Sequence, residues 1–558
     1  MKLSFLALIL LPCQLLAVGP EAIYGKKGMV TSRSALASEI GINVMREGGN
    51  AVDAAVATAF ALAVTYPSAG NIGGGGFVVV RLASGEVVTL DHRERAPLNA
   101  SRDMYLDSEG DVVKGLSTRS HKAVGVPGSV DGLLTLLDTH GTLNRRKVIQ
   151  PSINLARRGF PLTYDLARQF RLVLDKMKAY PASIAKFSNE GKPYSAGDTW
   201  KQPDLAKTLL RIMLEGRTGF YEGPVAALIT EEMGRGDGNI TGKDLVNYRS
   251  VWRDPVRGSY RGYEIWGMGP PSSGGVLVIQ ILNMLEPYDL GAMGYGSAAV
   301  IHHMVEAERR AYSDRAEYLG DPDYYEVPIS MLIDKQYARE RFADFVPDKA
   351  SVSIDIGAGR WVQESPETTH FSVMDHQGMM VSFTTTLNSA YGSKIVVPGT
   401  GILLNNEMND FSIKHNTPNQ FQLIGREANA IEPGKRMLSS MSPTILTKNG
   451  KPFLITGSPG GSTIITTTLQ VIVNVIDHEM DIDDAVSLPR FHHQWSPDRI
   501  LHDAFAISPD TRMKLNDMGH AHIVQSTREI GDANSILYMD QVMRGIKDPR
   551  GEGAAIGF

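Results

Sequence analysis

The chain has 558 residues, of which 42% are hydrophobic and 21% charged, and its formal net charge is −5. This composition is typical of a soluble globular protein that buries a large interior. Basic and acidic residues are interspersed, and no cationic block with interleaved aromatic residues appears, so the sequence argues against a nucleic-acid partner.

The N-terminus predicts a secretory signal over residues 1–17. Lys2 supplies the positive start, Leu3 to Leu11 the apolar run, and Leu15 to Ala17 a cleavage site with a small residue. The one cysteine of the chain, Cys13, lies inside this segment, and a lipid anchor on Cys13 is the alternative interpretation. We therefore expect a periplasmic or secreted protein whose mature form has no disulfide, no thiolate metal ligand and no stable membrane span.

Helices and hairpins alternate along the first half of the chain. Apolar periodicity predicts a helix over Ser34 to Arg46, and the apolar run Ala51 to Val64 predicts a second, buried helix. Phe77 to Leu82 and Val87 to Leu90, joined by a glycine turn, have a hairpin pattern. The section from Gly128 to about Met233 is predicted to be mostly helical.

The second half continues this alternation. Pro255 to Trp266 predicts two short strands, and Val300 to Arg315 predicts an amphipathic helix rich in charge. Thr368 to Leu387 forms a hairpin pattern around a glycine-containing turn. Lys451 to Thr456 predicts a strand and Ile464 to Ile476 a buried helix. Blocks of helices and hairpins favour an α+β fold with layered, mostly antiparallel sheets.

Two threonines, Thr368 and Thr369, open the strand that follows the polar, linker-like stretch Ser351 to Pro366. A threonine hydroxyl needs an adjacent base to act as a nucleophile, and its own α-amine can serve once the chain is cut before it. Cleavage between Glu367 and Thr368 would provide that amine. A Thr-Thr pair at a strand start also follows from β-propensity alone, so the nucleophile is one of two interpretations.

Two glycine loops are candidates for binding loops. Gly73 to Gly76 lacks the GxGxxG spacing and leads into a strand, so it predicts close backbone packing and not a dinucleotide site. Gly457 to Ser462 follows a strand and precedes an apolar helix, an arrangement that suits an oxyanion hole or an anion site. A structural tight turn is an equally good interpretation of the second loop.

Several polar residues are candidates for holding a substrate. Arg93 lies at a strand end, where it either clamps a carboxylate or pairs with Glu94 on the surface. Ser439 and Ser440 either donate to a carboxylate or cap a turn. Three acceptors that would hold an ammonium group if they converge are Asn388, Glu407 and Asp410.

Two histidine pairs are candidates for metal ligands. His302 and His303 precede Glu306 but lack the HExxH spacing, and a pair on a helix surface is the preferred interpretation. His492 and His493 have no partner at ligand spacing. We expect no catalytic metal and no cofactor.

Taken together and in this order, the segments of the second half closely resemble the γ-glutamyltranspeptidase family. They are ETTHFSVMD from Glu367, TTLN from Thr385, GILLNNEMNDFS from Gly401, LSSMSPT from Leu438 and GSPGGS from Gly457. Upstream, NIGGGGF, LDHRERAP and RRAYSDRAEYLGDP are also similar to that family, so the resemblance extends from about Gly28 almost to the C-terminus.

The resemblance implies a fold and an activity. The fold is that of the N-terminal-nucleophile hydrolases, a four-layer αββα sandwich with two stacked antiparallel sheets. The precursor would cut itself into a large subunit, residues 18–367, and a small subunit, residues 368–558, which stay associated as a heterodimer and form one αββα unit. The activity would be γ-glutamyl transfer or hydrolysis on glutathione and similar compounds, through a γ-glutamyl ester resolved by water or by an amino-acid or dipeptide acceptor.

The resemblance also implies roles for individual residues. The nucleophile would be Thr368, and the hydroxyl of Thr386 would bond to it. The substrate α-carboxylate would be held by Arg93, Ser439 and Ser440, and the substrate α-amine by Asn388, Glu407 and Asp410. The oxyanion would be held by the backbone amides of Gly460 and Gly461. The chain departs from the family at Glu407, where some relatives carry glutamine, and at Met437, where proline is common. Phe411 to Phe421 matches a lid loop, with Phe421 near an aromatic gate position.

Two alternatives stay open from the sequence. One is a related acylase acting on β-lactam side chains, which would need a donor pocket different from the Arg93, Ser439 and Ser440 set. The other is a non-catalytic periplasmic protein that binds amino acids or peptides, which would have no need to keep Thr368 and Thr386 together.

Overall fold

The computed structural model describes residues 19–356, 368–414, 420 and 426–558. The predicted signal segment, Glu367 and Phe421 lie outside this part of the chain. Among the described residues, no helix has the length and apolar character that crossing a bilayer requires.

Within the described residues, the strands fall into two large sheets and three small ones. In chain order the strands are β1 (Ile23–Gly25), β2 (Gly28–Ser32), β3 (Gly75–Arg81), β4 (Val87–Asp91), β5 (Phe160–Pro161), β6 (Ser188–Asn189), β7 (Lys192–Pro193), β8 (Thr199–Trp200), β9 (Val251–Arg253), β10 (Val256–Tyr260), β11 (Tyr263–Gly267), β12 (Thr369–Asp375), β13 (Met380–Thr386), β14 (Thr444–Lys448), β15 (Lys451–Thr456), β16 (Phe491–His492), β17 (Ile500–His502), β18 (Ile523–Gln525), β19 (Ser535–Met539), β20 (Val542–Ile546) and β21 (Ala554–Gly557).

Each large sheet combines strands from both ends of the chain. Sheet I has the order β1-β20-β19-β15-β14-β11-β10, and sheet II the order β21-β2-β12-β13-β3-β4-β9. Neighbouring strands in both sheets are antiparallel. Residues on the two sides of the predicted cleavage site therefore pair within one sheet, since β12 and β13 lie between β2 and β3.

The helices form layers outside the two sheets. In chain order they are α1 (Ala35–Arg46), α2 (Ala51–Thr65), α3 (Ser129–His140), α4 (Arg145–Arg158), α5 (Tyr164–Met177), α6 (Pro181–Phe187), α7 (Pro203–Glu215), α8 (Thr218–Tyr221), α9 (Gly223–Arg235), α10 (Gly242–Asn247), α11 (Gly274–Leu285), α12 (Leu290–Met293), α13 (Ala298–Tyr318), α14 (Ile329–Leu332), α15 (Lys335–Arg341), α16 (Thr463–Ile476), α17 (Ile482–Ser487) and α18 (Pro509–Asp517).

Alternating side chains of each sheet supply two different cores. In sheet II, Val78 packs with the helices of the first half of the chain, including α2, whereas its neighbour Phe77 packs between the sheets. In sheet I, Ile445 also packs between the sheets, whereas Leu446 packs with α11, α13 and α16. Because side chains alternate faces along a strand, this arrangement gives four layers, helix, sheet, sheet and helix. The predicted α+β, αββα fold is confirmed.

The element predictions for the helices and hairpins are largely confirmed, but the exposure predicted for α13 is wrong. Its charged residues from Glu306 to Arg315 are buried, and Glu306 accepts from the guanidinium groups of Arg309 at 3.2 Å and Arg310 at 2.7 Å inside the protein. The predicted helix-surface histidine pair is also wrong, since His302 and His303 are both buried. Internal ion pairing leaves a charge pattern in the sequence that imitates a solvent-exposed face.

Candidate active site

The register of one hairpin brings the two catalytic threonine candidates together. Thr368 directly precedes β12, Thr386 ends β13, and Thr369 pairs with Thr385 across the ladder. The hydroxyl of Thr368 lies 3.5 Å from that of Thr386, and both residues are buried. The Thr386 oxygen also accepts a 2.8 Å hydrogen bond from the amide of Asn388, so its position is fixed from the loop side.

A cavity with about 280 Å³ of empty space begins at Thr368. It is lined by Arg93, Thr368, Thr386, Asn388, Glu407, Asp410, Ser439, Ser440, Met441, Gly461 and Ile464. The structure therefore brings together nine of the residues that the sequence singled out as site candidates. Gly460 lies beside this cavity and lines a neighbouring groove that also reaches Thr368.

Arg93 is the central cation of this cavity. It follows β4, and its amide donates to Asp91 Oδ1 at 2.9 Å. Its guanidinium forms ion pairs with Glu407 and, at 2.5 Å, with Asp410, and Glu94 lies 3.7 Å away. The surface-pair interpretation of Arg93 is wrong, because the side chains of both Arg93 and Glu94 are buried.

The cavity holds more negative groups than one guanidinium compensates. Burial raises the pKa of Glu407 well above its ordinary value and raises the pKa of Asp410 as well, although Arg93 opposes both shifts. Burial also raises the pKa of Glu94 to about 7. Burial would lower the pKa of Arg93, but the carboxylates outweigh it and raise that pKa. A bound positive group would therefore relieve the electrostatic cost of these buried acids.

Two acceptors in this cavity have no hydrogen-bond partner among the described residues. They are Oδ1 of Asn388 and Oε2 of Glu407. Asn388 adopts φ +74°, and its Nδ2 donates to the carbonyl of Asn406 at 2.9 Å, which leaves Oδ1 for another donor. A buried acceptor without a partner costs free energy, so these oxygens suit a ligand ammonium group.

The opposite side of the cavity presents hydroxyl groups. Ser439 Oγ accepts from the amide of Met441 at 3.1 Å, and Ser440 Oγ accepts from Arg315 at 3.3 Å. Each hydroxyl keeps its own hydrogen to donate, so the pair and Arg93 could hold a carboxylate. Arg315, on α13, was missed in the sequence; the family-like segment RRAYSDRAEYLGDP contained it, but no local pattern distinguished it from the other arginines.

The glycine loop Gly457 to Ser462 connects β15 to the N-terminus of α16. Gly460 has φ +139° and Gly461 φ +57°, conformations that residues with a side chain rarely adopt. The Thr463 hydroxyl donates to the carbonyl of Gly460 at 2.9 Å. The loop is thus held at a helix N-terminus, next to both spaces that Thr368 lines, where amide groups favour negative charge.

A buried polar network holds this loop from behind and was missed in the sequence. The Tyr312 hydroxyl donates to the carbonyl of Ser462, and Ser462 Oγ donates to Oε1 of Gln494 at 2.6 Å. His492 Nε2 lies 2.8 Å from that same oxygen, and its Nδ1 lies 2.8 Å from the hydroxyl of Thr466. Burial lowers the pKa of His492 to about 3, so the ring stays neutral. The sequence drew attention to His492 only as a metal ligand.

Asn71 is another contributor that sequence reasoning missed. Its Nδ2 donates to the carbonyl of Thr386 at 2.8 Å and to the hydroxyl of Thr385 at 3.1 Å. Its Oδ1 accepts from the amide of Gly74 at 2.8 Å. Asn71 thereby joins the glycine run after α2 to the end of β13, and only its place in NIGGGGF hinted at this role.

One group within the described residues has the spacing of a metal site: His302, Glu306 and His520. His302 and His520 lie 2.8 Å apart as a hydrogen-bonded pair, and Glu306 is already paired with Arg309 and Arg310. These contacts account for the cluster without an ion. None of its three residues lines the catalytic cavity.

A family model described as Gamma-glutamyltranspeptidase matches residues 37–558. The chain belongs to the γ-glutamyltranspeptidase family. It is 46% identical over 538 residues to the Glutathione hydrolase proenzyme of Escherichia coli (strain K12), a match that covers 95% of this chain and 91% of the relative. The suspected family and the expectation of an enzyme are confirmed, and the non-catalytic binding protein is set aside.

Solved structures agree with the fold of this γ-glutamyltranspeptidase family member. A cephalosporin acylase from Bacillus halodurans has a TM-score of 0.85 at 26% identity, with 99% of both chains covered. The γ-glutamyltranspeptidase of Helicobacter pylori has a TM-score of 0.57 at 49% identity, covering 58% of this chain and 93% of that one. This acylase matches the whole chain in fold. Its 26% identity, and the 39% identity of the Acylase ACY 1 proenzyme of Pseudomonas sp. (strain V22), lie below the 46% of the glutathione hydrolase, so the acylase alternative is less supported.

Proposed function

We propose that this chain is an autoprocessing γ-glutamyl acyltransferase and hydrolase whose nucleophile is Thr368. Its donors are glutathione and similar γ-glutamyl compounds, and its acceptors are water, amino acids or dipeptides. The relative that is 46% identical is named for glutathione and as a proenzyme, which supports both the donor and the processing.

The observation that carries this proposal is the pairing of opposite charges around one nucleophile. Arg93 and two serine hydroxyls suit an α-carboxylate, whereas Asn388, Glu407 and Asp410 suit an α-ammonium group, and Thr368 lines the same cavity. A γ-glutamyl group carries both charges at one end and its reactive amide carbon at the other. Charge-assisted hydrogen bonds at the first end would fix the position of the second.

Maturation begins when the Thr368 hydroxyl attacks the carbonyl carbon of Glu367. The C–N bond of that peptide breaks as the ester bond forms, and the nitrogen takes up the hydroxyl proton to become the α-amine of Thr368. Water then opens the ester, which returns the hydroxyl and leaves a carboxylate on Glu367. The products are the large subunit, residues 18–367, and the small subunit, residues 368–558, which remain associated.

Turnover uses the same oxygen. The Thr368 hydroxyl attacks the γ-amide carbon, and its α-amine, directly or through a water, takes the proton and passes it to the leaving amine. The amides of Gly460 and Gly461 stabilise the tetrahedral oxyanion, worth on the order of 3 kcal/mol each. Water or an acceptor amine then attacks the γ-glutamyl ester, and Thr368 recovers its proton. Thr386 orients the nucleophile through the contact between the two hydroxyls.

We further propose that the chain is exported by the signal over residues 1–17. The apolar run and small-residue cleavage site support export. The absence of cysteine after Cys13 suits an oxidising compartment.

The test is a denaturing gel, N-terminal sequencing and mass spectrometry of the purified protein. We expect two fragments, the smaller beginning at Thr368, and a γ-glutamyl adduct on that threonine after trapping with a slow donor. Thr368→Ala should stay uncut and inactive, whereas Thr368→Ser, which keeps a hydroxyl, should be cut. Normal cleavage of Thr368→Ala, or an adduct on another residue, would remove Thr368 as the nucleophile.

A further inference from the structure

The solvent-exposed side of α4 carries cations and no acid. From Thr139 to Tyr164 the sequence contains no aspartate or glutamate, although the whole chain has a formal net charge of −5. The exposed cations of this helix, here called the basic face, are Arg146, Lys147, Arg157 and Arg158. Within the described part of the chain, none of the four takes part in an ion pair.

The helix aligns the basic face as two parallel pairs of cations. Arg157 follows Arg146 by eleven residues, and Arg158 follows Lys147 by the same spacing. Eleven residues complete three helical turns and span about 16 Å, so the members of each pair lie on one line parallel to the helix axis. Nine other residues separate the two ends of the face in the sequence, and only the helix brings them to one side.

The inward and outward sides of α4 differ in chemistry. The inward side packs into the core through Val148, Ile149, Ile153 and Ala156. Between the cations, the outward side carries Gln150 and Asn154, whose side-chain amides hydrogen-bond at 3.0 Å. The helix contains no aromatic residue. The basic face is therefore positive and polar, with neutral amides between its cations.

Helix stability does not explain the cations at the start of α4. Arg146 and Lys147 lie in the first turn, which holds no acidic residue and is capped by Asn144, whose side chain accepts from the amide of Lys147 at 3.1 Å. Positive charge is unfavourable there, because aligned peptide dipoles already place partial positive charge at a helix N-terminus. Arg145, by contrast, lies against Gly216 at the C-terminal end of α7, where a cation is favourable. The chain thus keeps two exposed, unpaired cations where they disfavour the helix.

We propose that the basic face of α4 binds the surface of an anionic lipid bilayer. Two pairs of cations about 16 Å apart complement a plane of fixed negative charge better than they complement one small anion. Single-stranded nucleic acid is disfavoured as the partner, because its bases stack on aromatic side chains and α4 has none. The export proposed above would place the protein beside a bilayer. The inference goes beyond the proposed function and does not depend on the catalytic assignment.

The expected contact is electrostatic and oriented. Each Lys or Arg near an anionic membrane surface strengthens binding about fivefold, and the effect decays within a Debye length. Because the whole chain is acidic, binding is favourable only when α4 faces the bilayer. The basic face lines neither the cavity nor the groove beside Thr368, so its charges can be removed without changing either space.

The test is sedimentation of the purified full-length protein with lipid vesicles. One vesicle population contains phosphatidylcholine alone and the other also contains phosphatidylglycerol, each at about 0.05 M and about 0.5 M salt, which lengthens or shortens electrostatic screening. We expect the wild type to sediment with phosphatidylglycerol vesicles at the lower salt only. Arg146→Gln with Lys147→Gln should weaken this partitioning about 25-fold.

The matched control is Lys207→Gln with Arg211→Gln on the neighbouring α7. These two cations already pair with Asp204 at 3.0 Å and Glu215 at 3.3 Å, and their removal changes the net charge by the same amount. The control should keep wild-type partitioning. An equal loss in the control would show that net charge, and not the basic face, governs binding, and would overturn the proposal.

Two further outcomes would also overturn it. One is wild-type protein that sediments equally with both vesicle populations, or with neither. The other is binding to soluble dextran sulfate without binding to vesicles, which would assign the basic face to a soluble polyanion. Release of glutamate from glutamine should be the same in the wild type and both variants, which checks their folding. Wild-type protein that releases no glutamate would contradict the proposed function and leave the vesicle result standing.

Discussion

The two spaces that meet at Thr368 differ in closure and in charge. The cavity is small, its walls are buried, and one guanidinium faces three carboxyl groups. The groove is larger and more open, and both cations and anions line it, among them Arg168, Lys176, Glu529 and Glu552. Fixed charges act strongly where water is excluded and weakly where water screens them. The contrast teaches how one enzyme can be strict for its acyl group and permissive for what is attached to it.

The largest expected effect comes from the cavity cation. In Arg93→Lys, a single ammonium group cannot replace the planar guanidinium that bridges Glu407 and Asp410. We expect kcat/KM to fall about a hundredfold or more, equally for glutathione and for glutamine, because breaking a buried, hydrogen-bonded charge pair at a binding site costs roughly 2–5 kcal/mol of binding free energy. Steady-state kinetics with both donors measures it.

Arg95→Lys is the matched control for that change. Arg95 donates to the carbonyl of Gly434 at 2.6 Å and lines neither space. Its kinetic constants should stay near those of the wild type. If kcat/KM of Arg93→Lys falls less than about fivefold, the loss is no larger than that expected for an exposed ion pair. That result would contradict a strong electrostatic contribution of Arg93 in the cavity.

An intermediate effect is expected in the pH dependence of stability. Burial raises the pKa of Glu94 from 4.5 to about 7, so the folded protein holds this proton over a range where the unfolded chain loses it. The stability that Glu94 contributes is fully present below pH 4.5 and is lost as the pH rises to about 7. The Tm of Glu94→Gln relative to wild type should therefore rise by a few degrees across that window.

The comparison for Glu94 is an acid in the groove. Desolvation also raises the pKa of Glu529, although this side chain is exposed. Glu529→Gln should show the same trend with a smaller amplitude in thermal scans at matched pH values. If the change in Tm with pH is the same for Glu94→Gln and Glu529→Gln, the acid in the cavity and the acid in the groove do not differ in environment as proposed.

The smallest expected effect concerns the network behind the glycine loop. Tyr312→Phe removes the hydrogen bond to the carbonyl of Ser462 and loosens the loop that carries Gly460 and Gly461. Because one such bond contributes about 1 kcal/mol, kcat should fall about fivefold with little change in KM. Tyr221→Phe, which removes a 2.9 Å bond to the carbonyl of Pro127, should cost stability without lowering kcat. A changed KM with unchanged kcat would place the role of Tyr312 in binding.

Local patterns were sufficient where neighbours in sequence are also neighbours in space. The sequence predicted three such elements: the buried helix α2, the hairpin of β12 and β13, and the loop before α16. Hydrophobic periodicity, glycine positions and turn residues determine structure over only a few neighbouring positions, so they can be read from the sequence. The same reasoning failed for α13, where Arg309 and Arg310 both pair with the buried Glu306 inside the protein. A charge pattern reports which residues are polar and not where their partners lie.

The sequence by itself determined the family through its motifs, and the αββα layers followed from that resemblance. Periodicity along the chain predicted the helices and the hairpin that follows Thr368. Only the tertiary structure decided that Arg93 sits buried among three acids, that Arg315 and Tyr312 reach the site from α13, and that Thr368 separates a closed cavity from an open groove. Burial and long-range pairing depend on how distant elements pack, and side-chain pKa values and ligand space follow from that packing.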